Sequence, residues 1–195
     1  VLWNVDEILG DSSASLVLKY MSSDMEEGYP GNLNVKVIYT LNNNDELSVT
    51  YEADTDKTTI VNLTQHSYFN LSGDFNEDIS NHDLKINADS FLPVDSTLIP
   101  TGEIRDVIET PFDFLQPKKI GTDIEMNNEQ INYGNGYDHC WVLNNYGDGV
   151  RFVASAYDDI SGRLLEVYSD QRTWIMNNYR QTEAFGVDNF RKLKT

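Results

Sequence analysis

Hydrophobic and polar residues alternate along most of this chain with a period of two. Extended backbone imposes that period, because successive side chains of a strand point to opposite faces. Over residues 14–20, Ser15, Val17 and Lys19 alternate with Leu16, Leu18 and Tyr20. Val35, Val37, Tyr39 and Leu41 share one parity, and after Asn42-Asn43-Asn44-Asp45 so do Leu47, Val49, Tyr51 and Ala53. Polar turn residues between two alternating runs predict a β-hairpin. A further strand is predicted over 58–61. Its continuation puts Val61 and Leu63 on one face and Asn62, Thr64 and His66 on the other. Residues 24–34, broken by Gly28, Pro30 and Gly31, predict a turn-rich loop, and 91–114, with Pro93, Pro100 and Pro111, predict extended, turn-broken chain. The polar stretch 74–90 holds His82 in an Asn81-His82-Asp83 turn, which reads as a solvated loop histidine. Only 121–132 has helical character, and that helix would be short. Behind Tyr133-Gly134-Asn135-Gly136, a strong turn signal, residues 137–143 run apolar on both faces as a buried strand does. The runs 150–157 and 163–169, with a turn over 158–162, predict one more hairpin. Many short strands with turns between them predict an all-β fold, a large antiparallel β-sandwich.

At 195 residues the chain is long enough for one domain with a substantial core. Its formal net charge of -18 argues against nucleic acid or an anionic membrane surface as partner, since both would be repelled. A neutral small molecule is indifferent to that charge. Cys140 is the single cysteine, so no internal disulfide can form. That agrees with a reducing, cytoplasmic compartment and leaves export open, because the chain starts at Val1 without a methionine.

The candidate chemistry gathers at two places. The polar row ending in His66 runs straight into Ser67-Tyr68-Phe69-Asn70, a dense polar and aromatic stretch. Periodicity alone leaves two readings, a half-exposed strand that ends in histidine and a functional site. Asp138 leads into the buried strand. A carboxylate there must stay wet, be hydrogen-bonded or bind something, and capping of local amides is the plain alternative. A metal site of His66, His139 and Asp138 would draw on distant strands without a close-spaced zinc signature. A glycosidase pair could hide among the 32 acidic residues, but no motif picks one out.

The stretch NLTQHSYFNLSG at 62–73 resembles the motif around the catalytic histidine of the aldose 1-epimerases (galactose mutarotases), usually NLTNHSYFNL, with Gln65 as the one departure in its first ten positions. Five further stretches agree in order: EEGYPGNL at 26–33, LIPTGEI at 98–104, TPFDF at 110–114, GYDHCWVL at 136–143 and LEVYSDQ at 165–171. The resemblance implies a galactose mutarotase-like supersandwich, incomplete here, over 1–171, and interconversion of the α and β anomers of free hexoses such as glucose and galactose. It implies no cofactor, no metal, and a small-molecule sugar as the partner. In that family the histidine of HSYFN donates a proton, which maps onto His66. Ser67 and Tyr68 border the same sugar, the aspartate of Tyr-Asp-His maps onto Asp138, and the glutamine ending LEVYSDQ maps onto Gln171.

Residues 172–195 form a tail that does not match the family pattern. From Gln171 onward the net charge is +3, against -21 before it. The family's general base is a glutamate in a Glu-Thr-Gln type motif, and Glu183 stands in Thr182-Glu183-Ala184-Phe185 instead. The family's second histidine and its arginine would lie upstream of Val1. The expectation is therefore an epimerase whose activity is impaired by loss of the base. The alternative from another class is a non-catalytic carbohydrate-binding remnant of the same fold.

Overall fold

The computed structural model describes residues 1–64, 66–74, 76–147, 149–179 and 185–189, with 175, 177–179 and 185–189 described by backbone alone. Its chain divides into two compact units, one built on Val1–Leu63 and the other on Thr64–Phe190.

The first unit is an antiparallel meander of β1 (Asn4–Leu9), β2 (Ser13–Ser22), β3 (Leu33–Asn42) and β4 (Leu47–Thr55), in the order β1-β2-β3-β4. The register explains its two faces. Val5, Leu18, Val37 and Tyr51 line up in one row, and Asn4, Lys19, Lys36 and Glu52 in the next. Neighbouring rows point to opposite sides, so one face is apolar and the other mixed, with Val17 buried on the side that carries Lys19 and Lys36. Val35, Val37 and Tyr51 are buried on the apolar face, with Leu63 packed against them. The predicted β3–β4 hairpin forms as expected. The Asn42 side chain accepts from the amides of Asn44 at 2.9 Å and Glu46 at 3.2 Å, and Asp45 takes φ 60°. The strand predicted at 58–61 does not form. Extended backbone becomes a strand only with a ladder partner for its amides and carbonyls, and 58–64 pairs with no described strand. This stretch is the connection from one unit into the next.

The second unit holds two sheets and one core. Its strands are β5 (His66–Phe69), β6 (Asp83–Ile86), β7 (Ser90–Leu92), β8 (Arg105–Asp106) and β9 (Lys118–Lys119), then β10 (Gly136–Val142), β11 (Arg151–Tyr157), β12 (Leu164–Ser169), β13 (Thr173–Tyr179) and β14 (Phe185–Asn189). One sheet has the order β5-β14-β13-β10-β7-β8, the other β12-β11-β6-β9, and all pairings are antiparallel. Side chains from both sheets share one buried cluster, including Phe91, Tyr137, Trp141 and Trp174 from the first and Leu84, Ile86, Val153 and Ala154 from the second. The antiparallel sandwich is thus realised within this unit. A bulge in β11 leaves Val153 without a register partner and turns both Val153 and Ala154 inward. The short helix α1 (Glu129–Gly134) starts at Asn128, whose side chain accepts from the amides of Gln130 and Ile131, and ends at Asn135 with φ 49°.

Strand β10 differs from its predicted form. Tyr137, His139, Trp141 and Leu143 are fully buried, whereas Asp138, Cys140 and Val142 are only half-buried. It is a one-sided core strand with a chemically useful second face. No helix among the described residues is long and apolar enough to cross a membrane.

Candidate functional site

Register fixes which predicted residues share a face. Residues paired across antiparallel neighbours point to the same side. His66 pairs with Asp188, which pairs with Ile175, which pairs with Cys140. Tyr68 pairs with Gly186, then Asn177, then Asp138. His66, Tyr68, Asp138 and Cys140 therefore lie on one face of the six-stranded sheet. The His66 and Tyr68 rings stack with centroids 4.8 Å apart and planes at 27°, which puts an imidazole against an exposed phenol. Tyr68 and Asp138 end one row, three strand spacings apart, or about 14 Å between backbones.

Two other predicted residues are placed differently. Ser67 pairs with Val187, then Met176, then His139, so it lies on the opposite face, toward the core side. Gln171 lies beyond the start of β13, at the end away from the Asp138 row. Its side chain is buried and donates to Asp170, and its carbonyl accepts from Arg151 at 2.9 Å. The same register sets His66 and His139 on opposite faces, which removes the combination of His66, His139 and Asp138 as a metal site. Among the described residues no group of three or more histidines, cysteines or acids is placed to hold a metal. Glu183 lies outside the described residues. Strand β13, within the 172–195 tail, pairs with β10 along its whole length from Gly136↔Tyr179 to Val142↔Thr173.

His82 is not the solvated loop residue its turn sequence predicts. It is 1% exposed, and its Nε2 accepts from the Leu71 amide at 2.9 Å. That bond requires the proton on Nδ1, which lies 4.0 Å from the Asp158 carboxylate. Burial lowers the imidazole pKa, and the neighbouring Asp158 opposes that shift. Asp158 itself is held below the usual carboxylate range by bonds from Ser161. The Leu71 carbonyl is clamped too, accepting from Ser161 Oγ at 2.7 Å and Arg163 Nη1 at 3.1 Å. Arg163 reaches it over Gly73, where φ is +82° and an added Cβ would stand 2.8 Å from the guanidinium. Leu71 follows β5 by two residues, so this clamp anchors the strand that carries His66 and Tyr68. The turn-forming residues around His82 carried no signal of burial; the partners arrive from a distant hairpin.

On the shared face Cys140 is half-buried, and burial pushes its thiol up to about 11, which leaves it protonated and inert near neutrality. A separate depression of about 460 Å³ lies on the four-stranded sheet of the first unit, lined by Asn4, Lys19, Asn34, Lys36, Glu52 and Asp54 among others. None of the predicted site residues borders it, and its lysines are engaged with carboxylates, Lys36 with Glu52 at 3.1 Å and Lys19 with Asp6.

Comparison with known proteins bears on this arrangement. The family model described as Aldose 1-epimerase matches residues 1–189. Galactose mutarotase of Bos taurus is 48% identical over 151 residues, covering 77% of this chain and 42% of that protein. Aldose 1-epimerase of Escherichia coli (strain K12) is 36% identical over 163 residues, covering 84% of this chain and 46% of that protein. A crystal structure of galactose 1-epimerase from Lactobacillus acidophilus superposes with a TM-score of 0.85 at 28% identity, covering 98% of this chain and 58% of that one. The chain thus spans less than half the length of the curated relatives it matches.

Proposed function

The chain belongs to the aldose 1-epimerase family, and from that premise we propose that it acts on free hexoses such as glucose and galactose, interconverting their α and β anomers. The observation that carries this reading is the single sheet face bearing the stacked His66–Tyr68 pair and, on the Tyr68 row, Asp138. A hexose lying over β13 and β14 would have one edge toward His66 and the other toward Asp138.

Mutarotation opens and recloses the sugar ring. A proton goes to the ring oxygen while the anomeric hydroxyl loses one, the bond between the anomeric carbon and the ring oxygen breaks, and a free aldehyde results. Rotation of that aldehyde and the reverse transfers give the other anomer. His66 is assigned as the acid, since an imidazole exchanges protons near neutrality. Tyr68 offers a ring edge and a hydroxyl to the sugar. Asp138, an acceptor-only carboxylate, takes sugar hydroxyl protons and fixes orientation. Gln171 and Ser67 remain proposed contacts of lesser support, Gln171 because its amide already bonds Asp170 and Ser67 because of its face. The general base is assigned by resemblance to a glutamate, and a chain without that group would lose roughly two to four orders of magnitude in rate.

The test is polarimetry of freshly dissolved α-D-glucose and α-D-galactose with the wild type beside His66→Ala. Acceleration that disappears in His66→Ala supports the epimerase with His66 as acid. Saturable sugar binding with no acceleration by a cooperatively folded protein would instead mean the carbohydrate-binding remnant.

A further inference from the structure

On its β7 side the ladder of β10 stops two residues short of Asp138, which stays paired with β13 on the other side. Strands β7 and β10 pair at Ser90↔Val142, Phe91↔Trp141 and Leu92↔Cys140. Continued by one step, the ladder would set Pro93 opposite His139, and by two steps Val94 opposite Asp138. The ladder ends at Leu92↔Cys140, and the Val94 amide and carbonyl bond a side chain instead. Two side chains fill the gap. The Gln130 amide, reaching from α1, accepts from the Val94 amide at 2.8 Å and donates to the Val94 carbonyl at 3.0 Å, as a paired strand would. The same Gln130 oxygen lies 3.2 Å from His139 Nε2, and His139 Nδ1 accepts from the Asp138 amide at 3.1 Å. Because Nδ1 accepts, the neutral ring must carry its proton on Nε2 and donate it to Gln130. In this relay the Gln130 oxygen accepts from both the Val94 amide and His139 Nε2. Gln130 is 3% and His139 2% exposed, so no water competes for these bonds. The ring is wedged edge-on to Phe112, with centroids 4.5 Å apart.

We infer that His139, oriented by Gln130, is a positioning residue that fixes the backbone of Asp138 and so aims its carboxylate across the sugar face. This rests on Asp138 as a sugar contact. Burial holds the His139 pKa at about 4, so the imidazole stays neutral and the relay intact throughout the neutral range. The helix side is equally tight. A Cβ on Gly134 would stand 3.2 Å from His139 Cε1 and 3.6 Å from Asp138 Cβ.

The experiment measures D-galactose affinity at pH 7, the amide hydrogen exchange of Asp138 and cooperative unfolding, for wild type, Asp138→Ala, His139→Leu and His139→Asn. An asparagine side-chain oxygen can replace Nδ1 as acceptor, whereas leucine cannot. The expected result is about tenfold weaker binding and faster Asp138 exchange in His139→Leu, with His139→Asn within about threefold of wild type and Asp138→Ala weakest of all. A folded His139→Leu that binds like wild type while Asp138→Ala does not would overturn the role of His139 and leave the sugar contact standing. Undiminished binding by Asp138→Ala would remove the sugar contact and the positioning role with it. Should His139→Leu fail to fold, Gly134→Ala decides. A shifted Asp138 amide resonance with weakened binding supports the proposal, and unchanged affinity overturns it.

Discussion

Strands β10 and β5 present the two halves of the same face, yet they are held in opposite ways. Strand β10 is central, paired with β13 over its full length and with β7 at one end, and its odd residues form part of the aromatic core. Strand β5 has four residues, pairs only with β14, and ends the sheet among the described strands. Asp138 is set from within by His139 and Gln130. His66 and Tyr68 are set from downstream, through the clamp on Leu71. The carboxylate proposed to orient the sugar thus lies on a central strand of the sheet and the proposed acid on its edge. Two of the three histidines are spent as buried acceptors for backbone amides, and the third, His66, is exposed.

The largest effect expected is one of pH, and it bears on both supports. His139 titrates at about 4 in the folded chain and near 6.5 when unfolded, because burial penalises its charged form. The unfolded state therefore binds more protons between these values, and stability falls as pH drops from about 6.5 to about 4 before this contribution levels off. The loss from His139 should be of order 3 kcal/mol. His82, lowered in the same direction, adds to it with the same sign. Urea unfolding at pH 7, 5.5 and 4 checks this, and His139→Asn should flatten the profile. A pH-independent midpoint over that window would contradict the buried, neutral assignment.

A smaller effect should fall on β5 alone. His82→Leu strands the Leu71 amide without an acceptor in a buried setting and should cost about 1–3 kcal/mol. Amide exchange should accelerate over His66–Phe69 and leave β10 protected. Equal acceleration in both strands would mean that the clamp supports the whole unit rather than one edge. Smaller again is Ser161→Ala, expected to cost about 1 kcal/mol or less, because Arg163 still donates to the Leu71 carbonyl. Arg163→Met in the same background should then cost more than in the wild type, a coupling that a double-mutant cycle reads directly.

The alternating runs of β2, β3, β4, β11 and β12 were legible because each has a wet and a dry face, and the pleat turns that into a pattern. Strands β6 and β7 were not, since each is only three or four residues long and set among polar turns. The stretch at 58–61 failed for the converse reason, an extended pattern that pairs with no described strand. Of the candidate site, His66, Tyr68 and Asp138 were proposed from their motifs, and register brings them to one face. The placement of Gln130 and His82 was not legible, because it depends on Val94 meeting α1 and on Leu71 meeting a hairpin some ninety residues away. Those are facts of topology that periodicity does not carry.

The proposed function requires one face of the six-stranded sheet to receive the sugar. Titration of D-galactose into labelled protein, followed by NMR of side-chain ring signals, tests it most directly. Saturable shifts of the His66 and Tyr68 rings with perturbation of Asp138, and little change at Lys19 or Lys36, are expected. Shifts confined to the lysines of the four-stranded sheet, with His66 and Tyr68 unmoved at saturation, would contradict it.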